Sequence, residues 1–294
     1  MRIRVPASTS NFGSGFDAFG LALNLYNHFY VEPSSQYSVE IEGEGRHLPI
    51  NEENLFIRVY KKACETFGKG DLPIRVKQVN QVPTARGLGS SATAIVGAIK
   101  AFEALHQLEL SLPEKLKVAF AFEKHPDNLL PTFLGGFVIC AFSSQGVNFL
   151  RLDFPKEIKV VVCVPEFELS TERAREVIKR QVSLEDAVFN LQRSALFVGS
   201  LLSKRFDLLR EAVQDRLHQP YRAELVPNFW RVMEYAYNSG ALAVFLSGAG
   251  PSIASLCMDD PELVGSWMVK AFEEVGIRSK YLVLEVDERG ALVE

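Results

Sequence analysis

No C-x-x-C pair occurs in this 294-residue chain, and its four cysteines, Cys64, Cys140, Cys163 and Cys257, are scattered. Three of them sit in apolar, strand-like text (FVICAF, VVVCVP, ASLCMD), so they are expected to be reduced core residues rather than a disulfide frame. The five histidines form no HExxH or other metal spacing. No apolar run approaches the roughly 20 residues that span a bilayer, and the opening MRIRVPASTS lacks the apolar stretch of a signal peptide. A cytoplasmic protein without membrane contact is the expectation. Basic charge is not in excess either: 32 Lys and Arg stand against 36 Asp and Glu, for a net charge of −4. Nucleic acid is therefore not an expected partner, and any anion must be held by a local site. No lysine lies between Arg86 and Lys100, which excludes a Walker A loop, and the H-R-D and D-F-G elements of protein kinases are absent.

What is present is an ordinary globular balance of 47% apolar and 23% charged residues. The length suggests two domains. RIRVPA and YSVEIEGEG alternate as half-buried strands do, and Leu55, Phe56, Val59, Tyr60, Ala63 and Phe67 follow helical spacing. IRVKQV is again a strand, and Ile95, Ala98, Ile99, Phe102 and Leu105 mark a helix after it. SLPEKLKVAFAFE opens with a capping box, and LGGFVICAF and NFLRLDF read as strands. Composition shifts near Asp153–Lys159, giving expected domains 1–155 and 156–294. After the strand KVVVCVP, helices are expected in STERAREVIKR, SLEDAVFNLQRSALFVGSLLS, FDLLREAVQDRL and PNFWRVMEYAYN. The end reads as two strands, a helix and a strand, so the second half follows the β–α–β–β–α–β, ferredoxin-like plan. The fold class is α+β.

Residues 83–94, PTARGLGSSATA, lead straight into the apolar run IVGAIKAFEAL. Glycines permit close backbone approach, and a helix N-terminus offers unpaired N–H groups and the positive end of a dipole. That combination suits a phosphate. Alone, the stretch is as readily a glycine connection with a helix cap. Gly87–Ala92 also matches the dinucleotide pattern GxGxxA, but the polar NQVPTAR intervenes where the first glycine should follow the strand directly. Gly13–Ala18 matches too, in text that is loop-like on both sides. Two further stretches change the balance. SNFGSGFDAFGLALN (10–24) gathers Asn11, Ser14 and Asp17 among glycines, and FLSGAGPSIASL (245–256) places a glycine turn between two apolar strands.

In order and spacing these three stretches resemble the GHMP family of small-molecule kinases. Pro83, Gly87, Leu88, Gly89, Ser90, Ser91 and Ala92 match its P-x-x-x-G-L-G-S-S-A ATP loop. PASTSNFGSGFDAFGLAL, EKHPDNLLPTFLGGF, STERAREV and SGAGPS are most similar to the branch that phosphorylates L-homoserine, and the resemblance spans residues 3 to about 285. It departs at Ser14, Thr93 and Leu130, where proline, alanine and alanine are frequent.

The resemblance implies a ribosomal-S5-like N-terminal domain and a ferredoxin-like C-terminal domain, with ATP and substrate meeting between them. It implies the ATP-dependent phosphorylation of L-homoserine, a step toward threonine, and a homodimer as the family's common habit. The ATP-loop residues would supply N–H groups to the phosphates, with Ser91 and Glu123 on Mg²⁺. Thr171, Arg175 and Arg222 fall in stretches that hold the substrate carboxylate, which an arginine fork suits. Asn11, Asp17, His125, Asn128 and Gly248 complete the implied substrate site. Asp17 and Asn128 are the candidates nearest the chemistry, and whether any general base acts is left open. Within the family, a mevalonate or diphosphocytidyl-methylerythritol kinase is the alternative, and outside catalysis a nucleotide-binding regulator. The paired arginines favour an amino-acid substrate, and retention of Ser91 and Glu123 favours an enzyme.

Overall fold

A computed structural model describes residues 1–294. The chain begins with β1 (Arg2–Ser10) and, after a tight loop, returns antiparallel as the 15-residue β2 (Phe19–Pro33). There follow β3 (Ser38–Gly43), α1 (Leu55–Thr66), β4 (Ile74–Asn80) and α2 (Ser90–Leu105). Next come α3 (Leu112–Ala119), α4 (Pro126–Leu134) and the hairpin β5 (Phe137–Ser143) and β6 (Gly146–Leu152). The second half holds β7 (Lys159–Pro165), α5 (Thr171–Glu176), α6 (Leu184–Ser203) and two short helical turns, α7 (Leu209–Ala212) and α8 (Gln219–Arg222). It continues with α9 (Phe229–Asn238), β8 (Ala243–Leu246), β9 (Ile253–Cys257), α10 (Pro261–Glu273), β10 (Ser279–Leu284) and β11 (Leu292–Val293). No helix is long and apolar enough to cross a membrane.

Two sheets result. The first runs β11-β1-β2-β4-β3, with β5 also paired to β2 and β6 beyond it; β3 and β4 are parallel. The second runs β10-β7-β9-β8, all antiparallel, as the β–α–β–β–α–β reading requires. One element crosses back: β11 pairs with β1, so residues after β10 belong to the first sheet and lie outside the expected division at 155/156.

The elements differ from expectation in four places. β2, which begins inside the stretch 10–24 and runs on to Pro33, was not expected because its buried Asn27 and its glycine at 20 break the apolar alternation; Asn27 accepts from the N–H groups of Gln81 and Val82. The HPDN stretch is the start of helix α4, with proline at its first turn. FDLLREAVQDRL forms only a 3₁₀ turn and the four-residue α7. Its continuation is cut off by Asp215, whose carboxylate accepts from the N–H groups of Leu217, His218 and Gln219 and so starts α8 instead. STERAREVIKR is helical only over Thr171–Glu176.

Three apolar cores hold the molecule. One lies under α1 to α4 on the first sheet, another under α9 and α10 on the second. The third lies between the sheets and joins them. At its centre, Phe12 packs against Phe245 at 4.6 Å between ring centroids, Phe197 at 5.3 Å and Phe137 at 5.6 Å.

Candidate active site

The three glycine-bearing stretches meet at the seam between the sheets. β1 ends in Ser8, Thr9 and Ser10, all buried, and these residues tie the loops together. Ser8 N–H donates to the Leu88 carbonyl (3.2 Å), and Ser247 Oγ donates to the Gly87 carbonyl (2.6 Å) while contacting Thr9 Oγ1 (2.8 Å). Gly248 N–H donates to the Ser10 carbonyl, and Asn11 Nδ2 donates to the Gly248 carbonyl (2.8 Å). Three turns distant in sequence are thus one hydrogen-bonded unit. Gly89 caps α2 in a left-handed conformation (φ 69°) and offers no side chain to the helix. The first N–H groups of α2 are left for a ligand. Thr93, the departure from alanine, donates to the Ser90 carbonyl (2.7 Å) and accepts from Asn27, which fixes the first turn against β2.

Beside this turn lies a small polar chamber of about 80 Å³. It adjoins a second cavity of about 1000 Å³, and the two share Ala85, Ser90, Ser91, Glu123, His125, Thr171 and Arg175. A small polar molecule beside a larger one is what such a pair of chambers accommodates. Of the expected residues, Asn11, Asp17, Gly87, Gly89, Ser90, Ser91, Ala92, Glu123, His125, Asn128, Thr171, Arg175, Arg222 and Gly248 all line the small chamber. Pro83 and Leu88 do not. Leu88 is fully buried in the core between the sheets, so this leucine anchors the loop rather than facing a phosphate, and Pro83 is buried beneath it.

Charge is distributed unevenly in the chamber. Asp17 and Arg175 form a bidentate pair, both contacts 2.8 Å, across a gap that no local reading of the sequence bridges. The Phe16 ring lies near both arginines, 4.9 Å from Arg175 and 5.2 Å from Arg222, and stacks on His218 at 4.7 Å. Arg222 is 1% exposed, donating to the carbonyls of Ala174 and Gly248 and to His218 Nδ1. Burial, with Arg175 nearby, pulls its pKa down to about 10, so it remains a cation at neutral pH. Burial also lowers His218 to about 4; the neutral ring then donates from Nε2 to the Gly13 carbonyl (2.8 Å). Asn11 has less freedom than expected, since its amide is spent on Gly248 and on accepting from the Asp17 N–H. Asn128 is held at both ends by β1, accepting from Ser8 Oγ (3.0 Å) and donating to Ser10 Oγ (3.1 Å).

One residue that sequence reasoning passed over is central. Asp127 is 2% exposed, its Oδ1 has no partner, and it lines the chamber in the first turn of α4. Burial, reinforced by Asp17, pushes its carboxyl up to about 6. It stands inside the HPDN text between His125 and Asn128, and the available signal was an acid at a helix start flanked by two expected site residues. Glu123 accepts from His125 at both the backbone N–H (3.0 Å) and Nδ1 (2.6 Å) through Oε1, which raises the histidine's pKa. No three His, Cys, Asp or Glu side chains cluster as a metal cage.

Residues 54–136 match the model of the GHMP kinases N terminal domain, and residues 197–271 that of the GHMP kinases C terminal. A homoserine kinase of Aquifex aeolicus is 53% identical over 294 residues, covering 100% of this chain and 99% of that protein. One of Persephonella marina is 49% identical, covering 100% and 98%. The crystal structure of homoserine kinase from Cytophaga hutchinsonii superposes with a TM-score of 0.90 at 28% identity, covering 100% of this chain and 97% of that one. A crystal structure of mevalonate kinase has a TM-score of 0.71 at 14% identity, with 97% and 99% covered, a likeness of fold alone. With an ATP-loop motif at the head of α2, a second ferredoxin-like sheet and full-length relatives of this kind, the chain belongs to the GHMP kinase family.

Proposed function

We propose that this protein transfers the γ-phosphoryl group of ATP to the side-chain hydroxyl of L-homoserine, giving O-phospho-L-homoserine and ADP on the way to threonine. The observation that carries the choice of substrate is the buried carboxylate of Asp127, whose Oδ1 has no partner, in one chamber with Arg175 and Arg222. An α-amino acid brings an ammonium for the first and a carboxylate for the second. The Asp17–Arg175 pair supports the same reading, because it is an internal copy of those two charges with which a zwitterion can exchange partners. Mevalonate has no ammonium. The two lobes, residues 1–155 and 156–294 apart from β11, would close the site between them, and four buried free thiols suit a reducing cytoplasm.

Phosphoryl transfer is chiefly positioning and charge stabilisation. The N–H groups at Gly89 to Ala92 would receive the phosphates at the head of α2, and the 1000 Å³ cavity would hold the nucleoside. Ser91 and Glu123 fit a magnesium ion: Glu123 keeps Oε2 free of protein hydrogen bonds while Oε1 takes both from His125, and the Ser91 hydroxyl has no protein partner. One or two protein oxygens are what this hard cation takes when phosphates and water complete its shell. Bound there, it would neutralise charge on the β- and γ-phosphates. Asn128, fixed between Ser8 and Ser10, would orient the substrate hydroxyl with its remaining amide hydrogen. Asp17 serves poorly as a general base, since both of its oxygens already accept from Arg175. The hydroxyl proton would then leave with the transferred phosphate.

Turnover of ATP with homoserine, mevalonate and threonine tests this reading. Homoserine should be phosphorylated and mevalonate left untouched; efficient mevalonate turnover leaves only the family. Ser91→Ala should lower kcat at saturating Mg·ATP with the melting temperature unchanged, and an unaltered kcat removes Ser91 from the metal. Arg175→Met should raise KM for homoserine sharply, with lysine restoring only part of the loss, while KM for ATP stays near its original value. A rise in the ATP constant alone would assign this arginine to the nucleotide.

A further inference from the structure

The two arginines of the small chamber are held by opposite means. Arg175 meets a carboxylate, Asp17, which balances its charge. Arg222 is buried and forms no ion pair, and every acceptor the fold gives it is uncharged. Its Nε donates to the Ala174 carbonyl (3.1 Å), and its Nη1 donates to the Gly248 carbonyl (3.1 Å) and to His218 Nδ1 (3.3 Å). That leaves Nη2 with no acceptor in the protein, on a residue that lines the chamber. Asp215, 3.6 Å from His218 Nε2, engages both of its oxygens with Asn190 and the N–H groups of Leu217, His218 and Gln219. A buried charge without a counter-ion is costly, and a bound carboxylate would remove that cost.

His218 is the one side chain among those three acceptors. It is fully buried and does not line the chamber, so it acts on Arg222 and not on a ligand. The turn of α8 sets the two on one face, with the Arg222 N–H donating to the His218 carbonyl (3.0 Å). The ring works from two edges. Its Nε2 donates to the Gly13 carbonyl (2.8 Å), in the loop that carries Asn11 and Asp17, while its Nδ1 accepts from Arg222. Its face stacks on Phe16 with an interplanar angle of 19°. One ring thus ties the substrate-site loop of the first lobe to the arginine of the second. A neutral imidazole puts a donor and an acceptor on two edges of one rigid plane, whereas an imidazolium would turn a second donor on the guanidinium. Burial holds the ring in the neutral form.

We propose that His218 is a positioning residue of the substrate site: its ring fixes the plane of Arg222, so that Nη2 and an uncompensated charge are left for the substrate carboxylate. This rests on homoserine being the substrate. Steady-state kinetics of the full chain with homoserine and ATP test it. His218→Phe keeps a ring to stack on Phe16 but deletes both hydrogen bonds. It should raise KM for homoserine roughly tenfold or more, as loss of a hydrogen bond to a charged group does, with kcat and KM for ATP near those of the parent. His218→Gln retains a donor and an acceptor on a flexible chain, so it should recover part of the loss. It also carries the test if the phenylalanine variant fails to fold. Coupling separates positioning from packing. In an Arg222→Met background either substitution should cost little more in kcat/KM, because the histidine acts through that arginine, whereas damage to packing alone would add in full. A parent that does not phosphorylate homoserine removes the substrate assignment, and this proposal with it. A parent that does, with KM for homoserine unmoved in both variants or an equal loss with and without Arg222, overturns the role of His218 and leaves the assignment standing.

Discussion

Asparagine at position 127 should remove most homoserine turnover while leaving the protein at least as stable as before. Asp127 is 2% exposed with Oδ1 unpartnered, so in the free enzyme the desolvation of its charge outweighs the help it receives from Ser10 and the nearby His125. Asparagine keeps the shape and deletes the charge. A bound ammonium, by contrast, loses its ion-pair partner in a dry chamber, a loss of about 2–5 kcal/mol, or roughly 30- to several-thousand-fold in kcat/KM. Activity and stability therefore move in opposite directions, which a residue of purely structural importance would not do. The pH dependence carries the same sign. Burial raises this carboxyl to about 6, so it is neutral below that value and ionised above it. kcat/KM for homoserine should fall as pH drops through about 6, and the fall should vanish in Asp127→Asn. For stability, the raised value means that the neutral form is favoured by folding at low pH and that this contribution is lost as pH rises through 6, which is why the neutral amide is tolerated. A Tm that drops with the activity, or an activity that persists, would take Asp127 out of the substrate site.

The second large effect is expected at the two glycines of the ATP loop, and the two should behave differently. Both have positive φ, 72° at Gly87 and 69° at Gly89, a region that costs an L-residue about 1–2 kcal/mol. A Cβ on Gly87 would stand 2.1 Å from the Ser247 carbonyl oxygen, which is backbone and cannot turn aside. A Cβ on Gly89 would stand 2.2 Å from Ser8 Oγ, the end of a side chain that can rotate. Gly87→Ala should thus force the ATP loop away from the SGAGPS turn, lowering stability by several kcal/mol on the scale of strain plus overpacking and with it ATP use. Gly89→Ala should be milder, and Ser8→Ala in the same chain should recover part of its stability. Thermal melts of the three variants with and without ATP read this directly; equal loss at both glycines, with no rescue by Ser8→Ala, contradicts it.

Periodicity made most of the second sheet and the helices α1, α2 and α10 legible, because their apolar faces are unbroken. β2 was not legible, since it buries an asparagine that serves as a hydrogen-bonding node for Gln81 and Val82. Nor was the end of α7, where one carboxylate outcompetes the helix. At the site, motif text located nearly every lining residue but not what each side chain touches. Leu88 stands in the middle of the phosphate loop yet points into the core. Asp17 and Arg175 find each other from opposite lobes, and Asp127 differs from any other exposed-looking acid only by its burial. Those properties come from packing between distant segments, and a linear pattern does not carry them.

The aromatic cluster around Phe12 limits how ligands can enter. Opening the lobes as a clamshell would bring Phe12, Phe137, Phe197 and Phe245 into water, at about 1.5–3 kcal/mol for each ring. Ser247 would also have to release the Gly87 carbonyl, dismantling the phosphate cradle in the act of admitting a phosphate. The exposed start of α5 and the exposed residues Lys179–Ser183 beyond it lack such aromatic anchors. Exchange by way of these pieces would leave the aromatic cluster and the Ser247–Gly87 contact in place.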